Sequence, residues 1–434
     1  MVTQKENILT FNDDLVKHAK SLSKTSAAWI NNLRDNSLSR LTDLSLPNRK
    51  DEEWRYVNIN EIAKNTFTFP KQSKYFNKKS LFPYCDADEI RVVFVNGFYT
   101  PEVSATPDVD GVKITSIHDA GENDIDFLKE FPALCKNYFM ELNHILSQEG
   151  ICIQIGLNTT VNKYFHIVHI TDESACKNII SPRNIIILKQ SSSAQVLESH
   201  ISFNDNVSYF VNAAMDIYLA ENSSLKYYKF QREGKDAYHI GHTRVLQEAD
   251  SSFENLTVTT FGKLTRNSLD ITLNGSGISS TLNGLYAINN DVVVDNHTSI
   301  DHRFPQCTSR QLYKGLLADK AHGVFNGKVA VHSEAQQTNS YQLNKNLLLG
   351  EDCRMDTKPQ LEIDADDVKC SHGATIGQLN EEEIFYLQTR GIAKREAIAI
   401  LARGFVGEMF NFVEDPVILK KLQYLIEPVL SKVV

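Results

Sequence analysis

No apolar run in the chain approaches the roughly 18 residues that a membrane span requires. The opening MVTQKENILTFNDD is polar and acidic, with neither the apolar centre of a secretory leader nor an Arg-rich transit pattern. A cytoplasmic protein with no membrane partner is the expectation. The seven cysteines (85, 135, 152, 176, 307, 353 and 370) are odd in number and irregularly spaced, which argues against a disulfide framework and for reduced thiols. No CxxC pair occurs, so the chain alone offers neither a closed zinc site nor a complete ferredoxin-type ligand set. A phosphate-binding GxxxxGK[ST] is also missing, and Gly275-Ser276-Gly277 and Gly262-Lys263-Leu264 do not replace it. Basic charge is in deficit: 45 Lys+Arg against 54 Asp+Glu give a net charge of -9, which speaks against a nucleic-acid partner.

What remains is a globular chain of 434 residues, 42% hydrophobic and 23% charged, long enough for a large core. Three regions differ in pattern. Residues 1–150 mix helix and short strand: Leu15, Ala19 and Leu22, then Ala28, Trp29 and Leu33, recur at helical spacing. "RVVFVNGFYTPEV" reads as a strand and a turn, and "DFLKEFPALCKNYFMELNHILSQ" as a helix interrupted near Pro132. Trp54, in the charged stretch "LPNRKDEEWRY", is expected to be a packed anchor with Arg55 in an ion pair. Residues 151–378 carry strand-length runs such as "YFHIVHI", "AQVLESHISF" and "SFENLTVTTF", separated by Asn, Gly, Ser and Asp turns. No helical period interrupts them, which excludes βαβ units. The turn-strand-turn rhythm is that of a solenoid, although no exact repeat can be written down. Residues 379–434 are helical. Asn380 with Glu383 makes a capping-box variant, Gly391 a stop, and Asp415-Pro416 a second start.

Cys370 and His372 lie one residue apart on a polar strand, so both side chains share a face about 6–7 Å apart. That spacing suits two ligands offered to a partner chain better than a closed site. Thiolate and imidazole both suit iron. Asp295, His297, Asp301, His302 and Cys307 could form a mixed metal site; solenoid turns are lined with such residues for structural reasons, and that reading is preferred. His322 and His332 are read in the same way.

Several stretches in order, "LPNRKDEEWRY", "VFVNGFY", "SPRNIIIL", "HTSIDH", "HGVFNGKVAV", "QTNSYQLNKNLLL" and "KCSHGATIGQLNEEEIFYLQTRGI", resemble the SufB/SufD family of iron–sulfur cluster assembly proteins. The resemblance runs from about Pro47 to the C-terminus. It implies a right-handed parallel β-helix with N-terminal and C-terminal helical regions. It also implies a non-catalytic scaffold that pairs with a SufB-like paralogue through the β-helix and receives a SufC-like ATPase on residues 380–434. SufB-type sequences place a cysteine three residues before an apolar triplet. Here the triplet is Leu347-Leu348-Leu349 and the matching residue is Asn344, a poor iron ligand. The "CSHGAT" stretch is that of the SufD branch, and it implies His372 and Cys370 as ligands of iron or a nascent iron–sulfur cluster, transient and shared with the paralogue. The implied complex leaves room for a reduced flavin. A β-helix polysaccharide lyase or hydrolase is the rival reading, weakened by the free thiols and by the continuous match.

Overall fold

The structure, a computed structural model, describes residues 4–22, 24–25, 27–72, 84–86, 89–131 and 137–432. The expected helix break near Pro132, and Cys135, lie outside them. Two parallel sheets wind into a β-helix. The first runs Ile90–Val95, Phe165–Thr171, Ser193–Ser202, Ser224–Arg232, Ser252–Phe261, Ser279–Ile288, Thr308–Leu317, Asn339–Leu348 and Lys369–Gly377, with Phe98–Tyr99 folded back antiparallel on its first strand. The second runs from Ile151–Ile155 through Arg183–Leu188, Phe210–Leu219, Tyr238–Gln247, Leu264–Leu273, Val293–His302 and His322–Val331 to Arg354–Ile363, with Val112–Ser116 antiparallel at its start. The solenoid expected from the turn rhythm is therefore present.

Corners set the coil. Asn222, Asp250, Gly277, Gln306 and Gln337 each stand two residues before a strand of the first sheet, and all have φ between 56° and 73°. A left-handed residue at that point turns the chain sharply, and Asn, Asp and Gly reach this conformation at least cost. Register then stacks identical positions: Ser224 on Ser252, Ser252 on Ser279, Ser279 on Thr308, Thr308 on Asn339, Asn339 on Lys369. Coil length thus varies from 27 to 31 residues, which is why no fixed repeat shows in the sequence.

Helices cover both outer faces. Tyr138–Leu146 and the segment around Trp54 bury Phe210, Ile240 and Leu264 of the second sheet. Trp54 is an anchor as expected, and the Arg266 guanidinium stacks 3.7 Å from its ring. Arg266 is held over the ring by its own buried ion pair with Asp295 at 2.7 Å, whereas Arg55, expected in an ion pair, is exposed. At the other face Lys394–Gly407 and Pro416–Lys432 bury Leu256, Leu285, Leu316 and Leu347 under Val406, Leu422 and Ile426. Asn380 accepts from the Glu382 amide and Asp415 from the Val417 and Ile418 amides, which caps the helices they precede. Lys421 ties the last helix to the opening strand through Asp86 at 2.5 Å and Glu89 at 3.5 Å.

One buried ring gives the fold an acid limit. His302 is fully enclosed with Nε2 2.9 Å from the Ser309 hydroxyl, and burial, only partly opposed by Asp301, lowers its pKa to about 4. In the unfolded chain the ring takes its proton below about 6.5; in the fold it does not until about 4. Stability present in full above pH 6.5 is therefore lost as pH falls towards 4, by about 3 kcal/mol from this residue. His302→Gln should flatten the dependence of melting temperature on pH across that window. An unchanged slope would show that His302 is not the group that titrates.

Candidate functional site

The last coil leaves the solenoid open. Lys369–Gly377 ends one sheet and Arg354–Ile363 the other, so each has one edge unpaired among the described strands. Along Lys369–Gly377, Cys370 pairs in register with Ser340, His372 with Gln342, Ala374 with Asn344 and Ile376 with Asn346. Those four residues of the preceding coil are buried and polar, and they face the interior. Asn344 donates to the Tyr286 hydroxyl (3.0 Å) and the Tyr313 carbonyl (3.1 Å), Gln342 donates to Gln311, and Ser309 donates to Ser340 (2.8 Å). Their partners on the final strand consequently lie across the interior mouth, with no further strand stacked on them among the described residues. Cys370 and His372 share this face, as the two-residue period requires.

The two side chains differ in environment. His372 is exposed, and Cys370 is half-buried against the end of the apolar core. Burial pushes the Cys370 thiol up, opposed only by the Ser340 backbone hydrogen bond. The thiol therefore stays protonated at neutral pH until a metal ion displaces the proton. Beneath His372, Gln342 Oε1 is buried and has no hydrogen-bond partner among the described residues. Around the mouth Tyr341, Ile363 and Ile376 are exposed by 48%, 38% and 48%, which is apolar area for a partner to cover. The last coil thus presents a soft donor and a borderline donor on one face, beside sheet edges that are unpaired among the described strands.

Comparison with known proteins assigns this architecture. The family described as "SUF system FeS cluster assembly, SufBD core domain" matches residues 169–405, and "SufBD protein N-terminal region" matches residues 6–167. The chain belongs to the SufB/SufD family. It is 30% identical over 424 residues to an iron–sulfur cluster assembly SufBD family protein of Synechocystis sp., covering 94% of each chain. It is 31% identical over 380 residues to the iron–sulfur cluster assembly protein SufD of Escherichia coli, covering 87% of this chain and 88% of that protein. A SufD of Plasmodium falciparum is 30% identical over 255 residues, 58% of this chain and 17% of that protein. The chain is thus an iron–sulfur cluster assembly protein of SufD type.

Other candidate residues of this SufB/SufD chain fall into place separately. His297 pairs with Asp295 at 2.9 Å, His332 with Asp301 at 2.7 Å, His322 with Asp356 at 2.8 Å, and the Cys307 thiol lies 3.2 Å from the Gly275 carbonyl. Among the described residues they form separate pairs, and none belongs to a group of three donors close enough to share an ion. Asn344 is fully buried and hydrogen-bonded.

A second concentration of donors lies inside the first coils. His169, Glu198, His200, Glu233 and His239 are all at least nine-tenths buried. Burial raises Glu198, but Lys229 and the neighbouring rings outweigh it and hold the carboxyl well below the usual range. Burial lowers both His169 and His200, so the rings are neutral. Burial pushes Glu233 up to about 7. Glu198-x-His200 shares one face by the two-residue period, and His169 stacks on His200 in register. That spacing was the available signal, although the sequence does not say which face is inward.

Proposed function

We propose that this chain is the SufD-like scaffold of a SufB–SufC–SufD complex, supplying one side of the site where a nascent iron–sulfur cluster is held. The observation that carries the proposal is the open last coil, where Cys370 and His372 lie over a polar floor beside two unpaired sheet edges. Strand edges with exposed apolar side chains favour pairing with a like surface, and a SufB-like paralogue is the like surface. In this reading His372 and Cys370 hold iron or the cluster transiently, together with donors of the paralogue. The cluster is cargo and not a resident cofactor.

The chain itself performs no catalysis here. Work enters from a SufC-like ATPase seated on residues 380–434, where Phe385 and Tyr386 stand 66% and 57% exposed. A reduced flavin would bind the assembled complex. Among the described residues no helix is long and apolar enough to cross a membrane, and a cytoplasmic setting accords with this reading. Co-expression with the SufB-like and SufC-like partners, followed by anaerobic absorption and iron and sulfide assays, tests it. The complex should carry cluster absorption that the chain alone lacks. A complex without iron or sulfide, made under conditions that load other iron–sulfur proteins, would reject the scaffold role.

A further inference from the structure

The interior of a β-helix is the least favourable place for carboxylates and imidazoles, since each buried polar atom without a partner costs about 1–3 kcal/mol. Within the first coils, His169 Nδ1, His200 Nε2, Glu233 Oε2 and His239 Nε2 are buried with no hydrogen-bond partner among the described residues. Of these atoms His200 Nε2 is the one turned to Glu198, while His169 faces that carboxylate through Nε2 and not through its unpartnered Nδ1. His169 and His200 stack with ring centres 4.6 Å apart, and His239 meets His200 edge-on at 4.7 Å.

Glu198 Oε1 lies 3.3 Å from His200 Nε2 and 3.6 Å from His169 Nε2, and the three donor atoms are all within 4.8 Å of one another. Ligands about 2.0–2.2 Å from a zinc-sized ion are separated by about 3.3 Å when tetrahedral, so the carboxylate–imidazole spacings match, and binding requires the two stacked rings, 14° apart in plane, to turn about their Cβ–Cγ bonds so that both Nε2 lone pairs meet the ion. The groups behind them are arranged as supports. The Tyr227 hydroxyl donates to Glu198 Oε2, and Lys229 Nζ is 3.7 Å from that same oxygen, which leaves Oε1 to the rings. Glu233 Oε1 lies 3.8 Å from His200 Nδ1, the nitrogen opposite the free one, and 2.9 Å from His239 Nδ1. Glu233 is hydrogen-bonded to His239 and lies beyond hydrogen-bond reach of His200, which it faces only as a neighbouring carboxyl. One contact competes: Asn184 Nδ2 lies 3.2 Å from His169 Nε2, so binding there displaces a hydrogen bond.

We propose that His169, Glu198 and His200 bind one divalent transition metal ion, Fe2+ or Zn2+, inside the first coils, apart from the mouth at Cys370 and His372. Two imidazoles and a carboxylate are a donor set that both ions accept, and iron favours it when further positions stay open. The inference does not rest on the scaffold role, because it concerns this chain alone. An enclosed ion exchanges slowly, whereas one held by the exposed His372 is stripped easily.

The test uses the full-length chain purified from cells grown with added Fe2+ (anaerobically), Zn2+ or Co2+, then dialysed in the native state against EDTA. A single retained ion per chain is expected, and the cobalt form should show visible d–d absorption. Comparing the three growths identifies the preferred ion. Glu198→Gln and His200→Gln should each lower retention at least about tenfold, and Tyr227→Phe, which removes only the hydroxyl behind Glu198, should weaken it by about 10–100-fold. His372→Ala and Cys370→Ser should leave retention unchanged. Should His200→Gln fail to fold, Tyr227→Phe carries the test. A metal-free wild-type chain from all three growths, or retention indifferent to both Glu198→Gln and Tyr227→Phe, would overturn the site.

Discussion

Replacing His372 by alanine should strip the assembled complex of most of its iron and sulfide while leaving its subunits together. The ring is exposed on the terminal strand, so its loss opens no cavity and leaves no buried partner unsatisfied. Surface changes of that kind move stability by no more than about 0.5 kcal/mol. Removing a ligand from a shared site, in contrast, leaves the remaining donors to hold the cluster with an open position. A ring that held the fold would give the opposite outcome: a cost of about 1–3 kcal/mol and normal iron content. Iron and sulfide per complex, subunit stoichiometry and melting temperature should therefore be read together. Normal iron with a lowered melting temperature would remove His372 from the site. Asn344→Ala is the informative control. Its amide is fully buried and donates to Tyr286 and Tyr313, so it should destabilise the chain by about 1–3 kcal/mol and leave cluster content nearly unchanged.

Changing Phe385 and Tyr386 together to serine should abolish binding of the SufC-like ATPase at micromolar concentration. Both rings stand out from the helix Glu381–Gln388, and Arg390 stacks on Tyr386 at 3.6 Å. Exposed aromatics of this kind serve as interface anchors worth about 2 kcal/mol or more each, so losing two weakens binding by about a thousandfold. Stability should hardly change, since neither ring is buried by the chain itself. Deleting residues 380–434 is a poorer experiment. It would bare Leu256, Leu285, Leu316 and Leu347, which the C-terminal helices cover, and the solenoid would lose an outer layer along with the docking surface. Unaltered ATPase binding by the double variant would move the docking site elsewhere.

The strands, corners and helix caps were legible because each depends on local chemistry: alternation, turn residues, and Asn380 and Asp415 ahead of helices. The shared face of Cys370 and His372 follows from the same two-residue period. The interior cluster did not follow. Phe165–Thr171 is buried at every residue, because one face packs the core and the other packs neighbouring elements, and alternation then no longer reveals which histidine points inward. Glu198 and His200 sit in a strand with seven buried residues in succession for the same reason. The start of the solenoid was hidden too. Ile90–Val95 pairs in parallel with Phe165–Thr171, but the long stretch between them has helix and turn chemistry of its own, and no local signal joins the two strands. The cation over Trp54 was not legible because Arg266 comes from a coil more than two hundred residues away.

The central claim is that the open end of the solenoid is built for a second, similar chain. Sedimentation velocity of this chain mixed with the SufB-like paralogue of the same organism, at micromolar concentration and without added iron, tests it most directly. The predicted result is a single boundary at the mass of a one-to-one heterodimer, formed in preference to either homodimer, and weakened when Ile376 on the exposed edge strand is changed to aspartate. Two boundaries at the masses of the separate chains, unchanged on mixing, would contradict it.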